Sequence, residues 1–217
     1  MSEALDGAIL QRDKETYAIV PRTPVGMLTP EILENIARVA RKFEIPVIKI
    51  TSGQRIVLVG LKKEDVDAAW QELNLDVGRA TELCLHYVQA CPGTAVCRYG
   101  MRDSLGVGTR IEETLAGMEL PAKLKIGVSG CPMSCGESQV RDIGLVGSKK
   151  GWTLYFGGNA GSRVRAGDKL AGELDDDAAI AMVVRLAEFY RDNGKKRERT
   201  ARFVERLGVE AVREAVL

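Results

Sequence analysis

Four of the five cysteines fall into two pairs, Cys91-x5-Cys97 and Cys131-x3-Cys135. Thiolates are soft ligands that select zinc, copper(I) or iron-sulfur clusters. Paired zinc ligands usually stand roughly two to four residues apart, a spacing that the second pair meets and the first does not. A [4Fe-4S] cube needs four thiolates approaching from different corners, which suits one wide and one narrow pair. If Pro132 opens a helix, Cys131 and Cys135 stand one turn apart and aim their sulfurs the same way. Spacing alone thus favours a cluster, with zinc and reduced core cysteines as the other readings. Cys84 is left over in an apolar context and reads as a small buried hydrophobe.

Lys123 and Lys125 are two apart in a run whose other positions, Leu124, Ile126 and Val128, are apolar. On a strand both ammonium groups then face one side. In a cavity of reduced dielectric a pair of cations would hold an anion more firmly than in water, and burial would ready a lysine to give up a proton. A solvated strand face is the plainer reading. His86, the only histidine, reads as a satisfied structural residue, with a proton donor or distal metal ligand as the sharper alternative. Gly106-Val107-Gly108 lacks the third glycine of a dinucleotide fingerprint.

The elements that must carry these residues follow from periodicity. Tyr17 to Val20 reads as a strand, and Thr29-Pro30 caps a helix to about Phe43 in which Ile32, Leu33, Ile36, Val39 and Ala40 recur at helical spacing. Val47 to Thr51 and Arg55 to Val59 form a hairpin about Ser52-Gly53, with Lys49, Thr51 and Arg55 on one face and Ile48, Ile50, Ile56 and Leu58 on the other. A second helix runs from Lys63 to Leu73. This β-α-β-β-α order, with room for a last strand, is that of a ferredoxin-like half-domain over 1–75. Residues 76–217 form an α/β domain with C-terminal helices, giving an α+β chain. It opens with a helix or loop bearing Cys84 and His86. A helix around Arg110 to Ala116, a strand Lys123 to Val128, strands Gly144 to Val146 and Trp152 to Gly157, and helices Ala178 to Asp192, Arg197 to Leu207 and Val209 to Val216 follow.

Composition bounds the rest. The 217 residues carry 31 Lys+Arg against 30 Asp+Glu, a net charge of +1, with 45% hydrophobic and 28% charged residues. Such a balance excludes disorder and argues against a dedicated nucleic-acid binder. Met1 to Val20 is charged without an apolar core region, so it reads as no secretory signal, and no apolar run is long enough for a bilayer. A cytoplasmic protein with reduced cysteines is expected. The basic run Lys195, Lys196, Arg197, Arg199, Arg202 has no interleaved aromatics and reads as a solvated helix face or a docking surface for an acidic partner.

Cys91-x5-Cys97 followed by Ser129-Gly130-Cys131-Pro132-Met133-Ser134-Cys135-Gly136 resembles the signature of siroheme-containing sulfite and nitrite reductases. Leu120 to Lys125, Asp142-Ile143-Gly144 and Gly151-Trp152 through Gly161 resemble the same family. The resemblance implies that Cys91, Cys97, Cys131 and Cys135 hold a [4Fe-4S] cluster and that Cys135 also ligates the siroheme iron. It further implies six-electron reduction of sulfite, or nitrite, with electrons from a separate donor protein of ferredoxin, flavodoxin or cytochrome type. Lys123 and Lys125 match a pair that contacts substrate, and Arg55 is expected beside them. Siroheme brings eight carboxylates; Lys49, Thr51, Arg55, Arg98, Lys149, Arg163 and Arg165 are the expected partners. Larger members resemble a tandem duplication, whereas this chain carries one copy, so either one copy suffices or a second chain completes the pocket, and monomer and homodimer both stay open.

Overall fold

The computed structural model describes residues 5–217; Met1 to Ala4, part of the charged lead-in, lie outside the described residues. The chain divides into two compact units, residues up to Thr81 and Glu82–Leu217.

In the first unit, strands β1 (Ala8–Leu10), β2 (Tyr17–Ile19), β3 (Val47–Ile50) and β4 (Ile56–Leu61) form an antiparallel sheet in the order β1-β2-β4-β3. Helix α1 (Pro30–Lys42) begins where Thr29 Oγ1 accepts the Ile32 N–H at 3.3 Å and Pro30 supplies a pre-set φ. Ile36, Val39 and Ala40 of α1 and Val66, Ala69 and Leu73 of α2 (Val66–Leu73) pack with Tyr17, Ile19, Ile56, Leu58 and Leu61 into one core. The extra strand comes at the front, as β1, and not after α2, where Pro21 and Val77 make only an isolated bridge. Ile48 and Ile50 pair with Leu58 and Ile56 across the hairpin, yet on edge strand β3 they stay exposed.

The second unit is built on a five-stranded sheet, β5 (Leu85–Ala90), β6 (Leu124–Ser129), β7 (Ile143–Ser148), β8 (Gly151–Phe156) and β9 (Asp168–Leu174), in sequential order. The first three strands run parallel and the rest antiparallel. One face presents Leu124, Ile126, Val128, Ile143, Leu145, Trp152, Leu154 and Phe156, all buried. Helices α3 (Ser104–Leu115), α4 (Asp176–Asn193) and α5 (Thr200–Leu207) cover that face, with α6 (Val209–Val216) behind. Phe156, Tyr190 and Phe203 meet edge to face there, at centroid distances of 5.2 to 6.5 Å. Among the described residues no helix is long and apolar enough to cross a membrane.

Three differences from the sequence expectations concern the site. Cys84 and His86 lie at the start of strand β5 and not on a helix; all six residues of that strand are buried, so no alternation marks it. Helix α3 starts earlier than expected because Asp103 caps it, Oδ1 accepting the Gly106 N–H at 2.9 Å, and outweighs Gly106 and Gly108 inside it. Pro132 does not open a helix: Cys131 to Gly136 form successive turns, with Ser134 at φ 53°, and Ser134 N–H and Glu137 N–H donate to the Cys131 and Ser134 carbonyls.

Candidate functional site

Cys91 and Cys131 follow the carboxyl ends of neighbouring parallel strands, the end of an open α/β sheet at which loops can build a site. The Cys91 N–H continues the β5–β6 ladder to the Val128 carbonyl at 3.1 Å. Gly130 then ties the two cysteine loops together. Its N–H donates to Cys91 Sγ at 3.1 Å, and its carbonyl accepts from Met101 N–H at 2.8 Å and Arg102 N–H at 3.1 Å. A Cβ at Gly130 would stand 2.7 Å from the Arg102 carbonyl and 2.8 Å from Gly93 Cα, so the close approach requires glycine.

Cys91 is half-buried and Cys131 buried, while Cys97 and Cys135 are exposed. Among the described residues no three His, Cys, Asp or Glu side chains converge on one metal ion. The thiols are spread over two abutting loops, a donor set that suits a cluster-sized body. Ser134 Oγ, between Cys131 and Cys135, is buried without a hydrogen-bond partner. Around the thiols Val96 and Met133 stand 81% and 74% exposed, and Tyr99 and Met101 are exposed as well. An apolar rim around Cys97 and Cys135 fits the flat body of a tetrapyrrole, and the orphaned hydroxyl fits one of its polar edges.

The loop after Cys131 folds back over the sheet face opposite the helices. A Cβ at Gly127 would lie 2.5 Å from the Gly136 carbonyl, and one at Gly144 would overlap the Ser138 carbonyl. Ser129 Oγ accepts from Gly136 N–H at 2.9 Å and meets Ser138 Oγ at 2.7 Å. The segment that carries Cys135 thereby lies over Gly127 and Ser129 of β6, on the face that the Lys125 side chain shares.

Lys125 is half-buried and Lys123, just before β6, is exposed. The Lys125 ammonium lies 5.7 Å from the Tyr87 ring centroid, and so does the Arg141 guanidinium. Burial first, then the guanidinium of Arg199, hold the Lys125 amine below the usual lysine range, with Arg141 and Lys123 adding and Asp142 opposing. Arg141 is itself buried; it donates to Gln89 Oε1 at 2.6 Å and pairs with Glu137, while its Nε has no partner. At the start of β7, the fully buried Asp142 accepts from Lys125 N–H at 2.9 Å, Thr200 Oγ1 at 2.5 Å and Arg199 Nη2 at 2.7 Å. Burial pushes its carboxyl up, and Arg199 and Thr200 pull it back. Nothing in the sequence singles out Arg141, Ser104 or Asp142 as an anchor, and Arg199, expected on a solvated or docking face, instead turns to the buried Asp142. Asp142-Ile143-Gly144 was visible as a motif, but nothing in it told that the carboxylate turns inward.

The other expected residues separate. Arg98 is exposed on the first cysteine loop, stacked on Tyr99 at 4.6 Å. Lys149 caps the β7–β8 turn, whose carbonyl accepts from Arg102 at 3.0 Å, so it stands at the cysteine end. Arg163 and Arg165 line a cavity of about 400 Å³ with Arg197, Arg199, Arg202 and Asn159. Both are already engaged, Arg163 with Glu205 at 3.2 Å and Arg165 with Asp168 at 2.6 Å. In the first unit Lys49, Thr51 and Arg55 share one side of the hairpin. Thr51 Oγ1 accepts the Arg55 N–H at 3.2 Å, and Arg55 Nη1 donates to the Arg79 carbonyl at 2.9 Å. His86 is buried at the irregularity of β5 between Leu85 and Tyr87, with Nε2 2.8 Å from the Glu82 carbonyl.

Residues 83–217 match the family described as the nitrite and sulphite reductase 4Fe-4S domain, and residues 9–75 match the nitrite/sulfite reductase ferredoxin-like half domain. The chain is 63% identical over 217 residues to the assimilatory-type sulfite reductase of Nitratidesulfovibrio vulgaris, covering 100% of both. It is 39% identical over 209 residues to the NAD(P)H nitrite reductase of Bacillus subtilis, spanning 96% of this chain and 26% of that protein. Among solved structures, dissimilatory sulfite reductase I superposes with a TM-score of 0.83 at 15% identity, over 93% of this chain and 69% of that one. The Mycobacterium tuberculosis NirA protein superposes with 0.81 at 18% identity, over 99% and 43%.

Proposed function

The chain belongs to the nitrite and sulfite reductase family, and from that premise we propose that it reduces sulfite by six electrons to sulfide, with nitrite as a second oxyanion. In this reading Cys91, Cys97, Cys131 and Cys135 hold a [4Fe-4S] cluster, and Cys135 also ligates siroheme iron. The observation that carries it is the return of the Cys131–Arg141 segment over β6, which puts the exposed Cys135 and the half-buried Lys125 on one face of one sheet.

Siroheme and cluster, when bound, supply the electron chemistry. The chain's own residues do the rest. Lys125 and Lys123 offer positive charge to an oxyanion, and Arg141 holds a second cation beside Lys125 without needing to move. An amine already below the usual lysine range releases its proton more readily, so Lys125 is the proton donor to oxygen leaving sulfur, while the exposed Lys123 adds positive charge just before β6. Arg98 and Lys149, at the cysteine end, are offered to siroheme carboxylates, and Arg163 and Arg165 to the same groups only if their acidic partners release them. Lys49, Thr51 and Arg55, on one side of the β3–β4 hairpin, are read as further carboxylate partners. A separate donor protein delivers electrons in the cytoplasm.

The visible spectrum of the purified protein, with sulfite-dependent oxidation of an artificial one-electron donor, tests this reading. Tetrapyrrole bands and sulfide are expected. A broad brown shoulder alone, without turnover, would replace the enzyme by a cluster-only electron carrier.

A further inference from the structure

Ser104, the first residue of α3, is fully buried at the point where the cysteine loops meet that helix. Its Oγ donates to the Cys91 carbonyl at 2.6 Å and lies 3.3 Å from Cys91 Sγ. From the other side the Gly130 N–H donates to the same sulfur at 3.1 Å. A Cβ at Gly130 would come within 3.2 Å of the hydroxyl, and one at Gly93 would overlap it. The hydroxyl is therefore enclosed by both loops, and the Asp103 cap fixes the helix start that carries it.

Geometry decides what this hydroxyl does, because it lies within reach of both the Cys91 carbonyl and the Cys91 sulfur. As a metal ligand the sulfur has lost its proton and only accepts. The single serine hydrogen is then shared between the carbonyl and the sulfur, and Cys91 has two donors aimed at it. Hydrogen bonds to ligand sulfur stabilise the more negative, reduced cluster and raise its potential.

We propose that Ser104 is a positioning residue that sets the reduction potential of the cluster through Cys91, by hydrogen-bonding the ligand sulfur and fixing its loop. The proposal rests on the reading that the four cysteines hold a [4Fe-4S] cluster. It assigns Ser104 no contact with the substrate.

The test is a dithionite titration of the holoenzyme followed by the electron paramagnetic resonance of the reduced cluster. In Ser104→Ala the ratio of reduced to oxidised cluster at the parent midpoint should fall about tenfold, a shift of about 59 mV to lower potential for a one-electron couple. Should the alanine variant take up no cluster, the isosteric pair Ser104→Thr and Ser104→Val decides, the threonine keeping the hydroxyl and the higher potential. An unshifted midpoint in a loaded alanine variant, or equal midpoints in the Thr and Val pair, overturns the proposal and leaves the cluster reading standing. No reduced-cluster signal in the parent protein overturns both.

Discussion

At the carboxyl end of β6 the two cysteine loops approach so closely at Gly130 that only glycine fits, and two of four thiols stay exposed, whereas at its amino end a fully buried carboxylate, Asp142, is tied to Arg199, Thr200 and the Lys125 backbone. One end is shaped by close backbone approach and keeps its donors free for a guest. The other is shaped by charge, and its groups are largely satisfied within the protein. The contrast teaches that the cysteine loops and the basic cluster are separately supported, so mutations at the two ends should fail in different ways.

The largest effect is expected at the cysteine end. In the proposed reading Cys135→Ser replaces a soft bridging thiolate by a hard oxygen and should remove most sulfite reduction together with the electronic link between the cofactors, whereas Cys84→Ser, at a buried position, should keep both. Iron and tetrapyrrole content with turnover measures this, and equal losses in the two variants would erase the distinction between ligand and core cysteine. At the basic end Asp142→Asn leaves Arg199 without its counter-charge. Breaking a buried pair costs about 3–5 kcal/mol, and because Arg199 reaches solvent the lower figure applies, a drop of roughly 6–12 °C in Tm. Calorimetry should show this without a change in cysteine reactivity.

Lys125→Met sharpens the contrast further, since it keeps the unbranched stem and removes one charge. A hydrogen bond to a charged group contributes roughly 1.5–3 kcal/mol, so sulfite binding should weaken about one to two orders of magnitude with the cofactor spectrum near that of the parent. Steady-state kinetics at fixed siroheme content checks it; loss of siroheme instead would make Lys125 a carboxylate anchor. The smallest effect lies outside both ends. Arg206 holds the Glu198 carboxyl down at about 2 from an ordinary 4.5. A depressed carboxylate contributes stability that is full above the ordinary value and lost as pH falls towards 2. The Tm of the parent should exceed that of Arg206→Ala at pH 6, and the difference should shrink steeply as pH falls through about 2.

The same contrast governs what the sequence made legible. Cysteine spacing and the Lys-x-Lys alternation are local patterns, as is the Thr29-Pro30 helix start, and the structure forms that helix start as expected. The return of the Cys131–Arg141 segment is not local. It depends on Gly127 and Gly144 yielding space to carbonyls many residues away, and no periodicity announces that. Arg141 looks like any surface arginine until the fold buries it. Pro132 pointed to a helix because its φ suits one, but Ser134 and Glu137 take left-handed conformations that break the segment into turns. Strand β9 carries mixed polar residues on a sheet edge, so its pattern is that of a loop.

Asp142 also sets an order of events during synthesis. Its partner Thr200 lies 58 residues further along the chain, and at roughly 5–20 residues per second those residues take about 3–12 s to appear. All four cysteines have been translated before then, yet β6 and β7 lack the clamp that fixes their amino ends. Metal and tetrapyrrole delivered in that interval would meet an unfinished sheet, one whose amino ends are clamped only when α5 arrives.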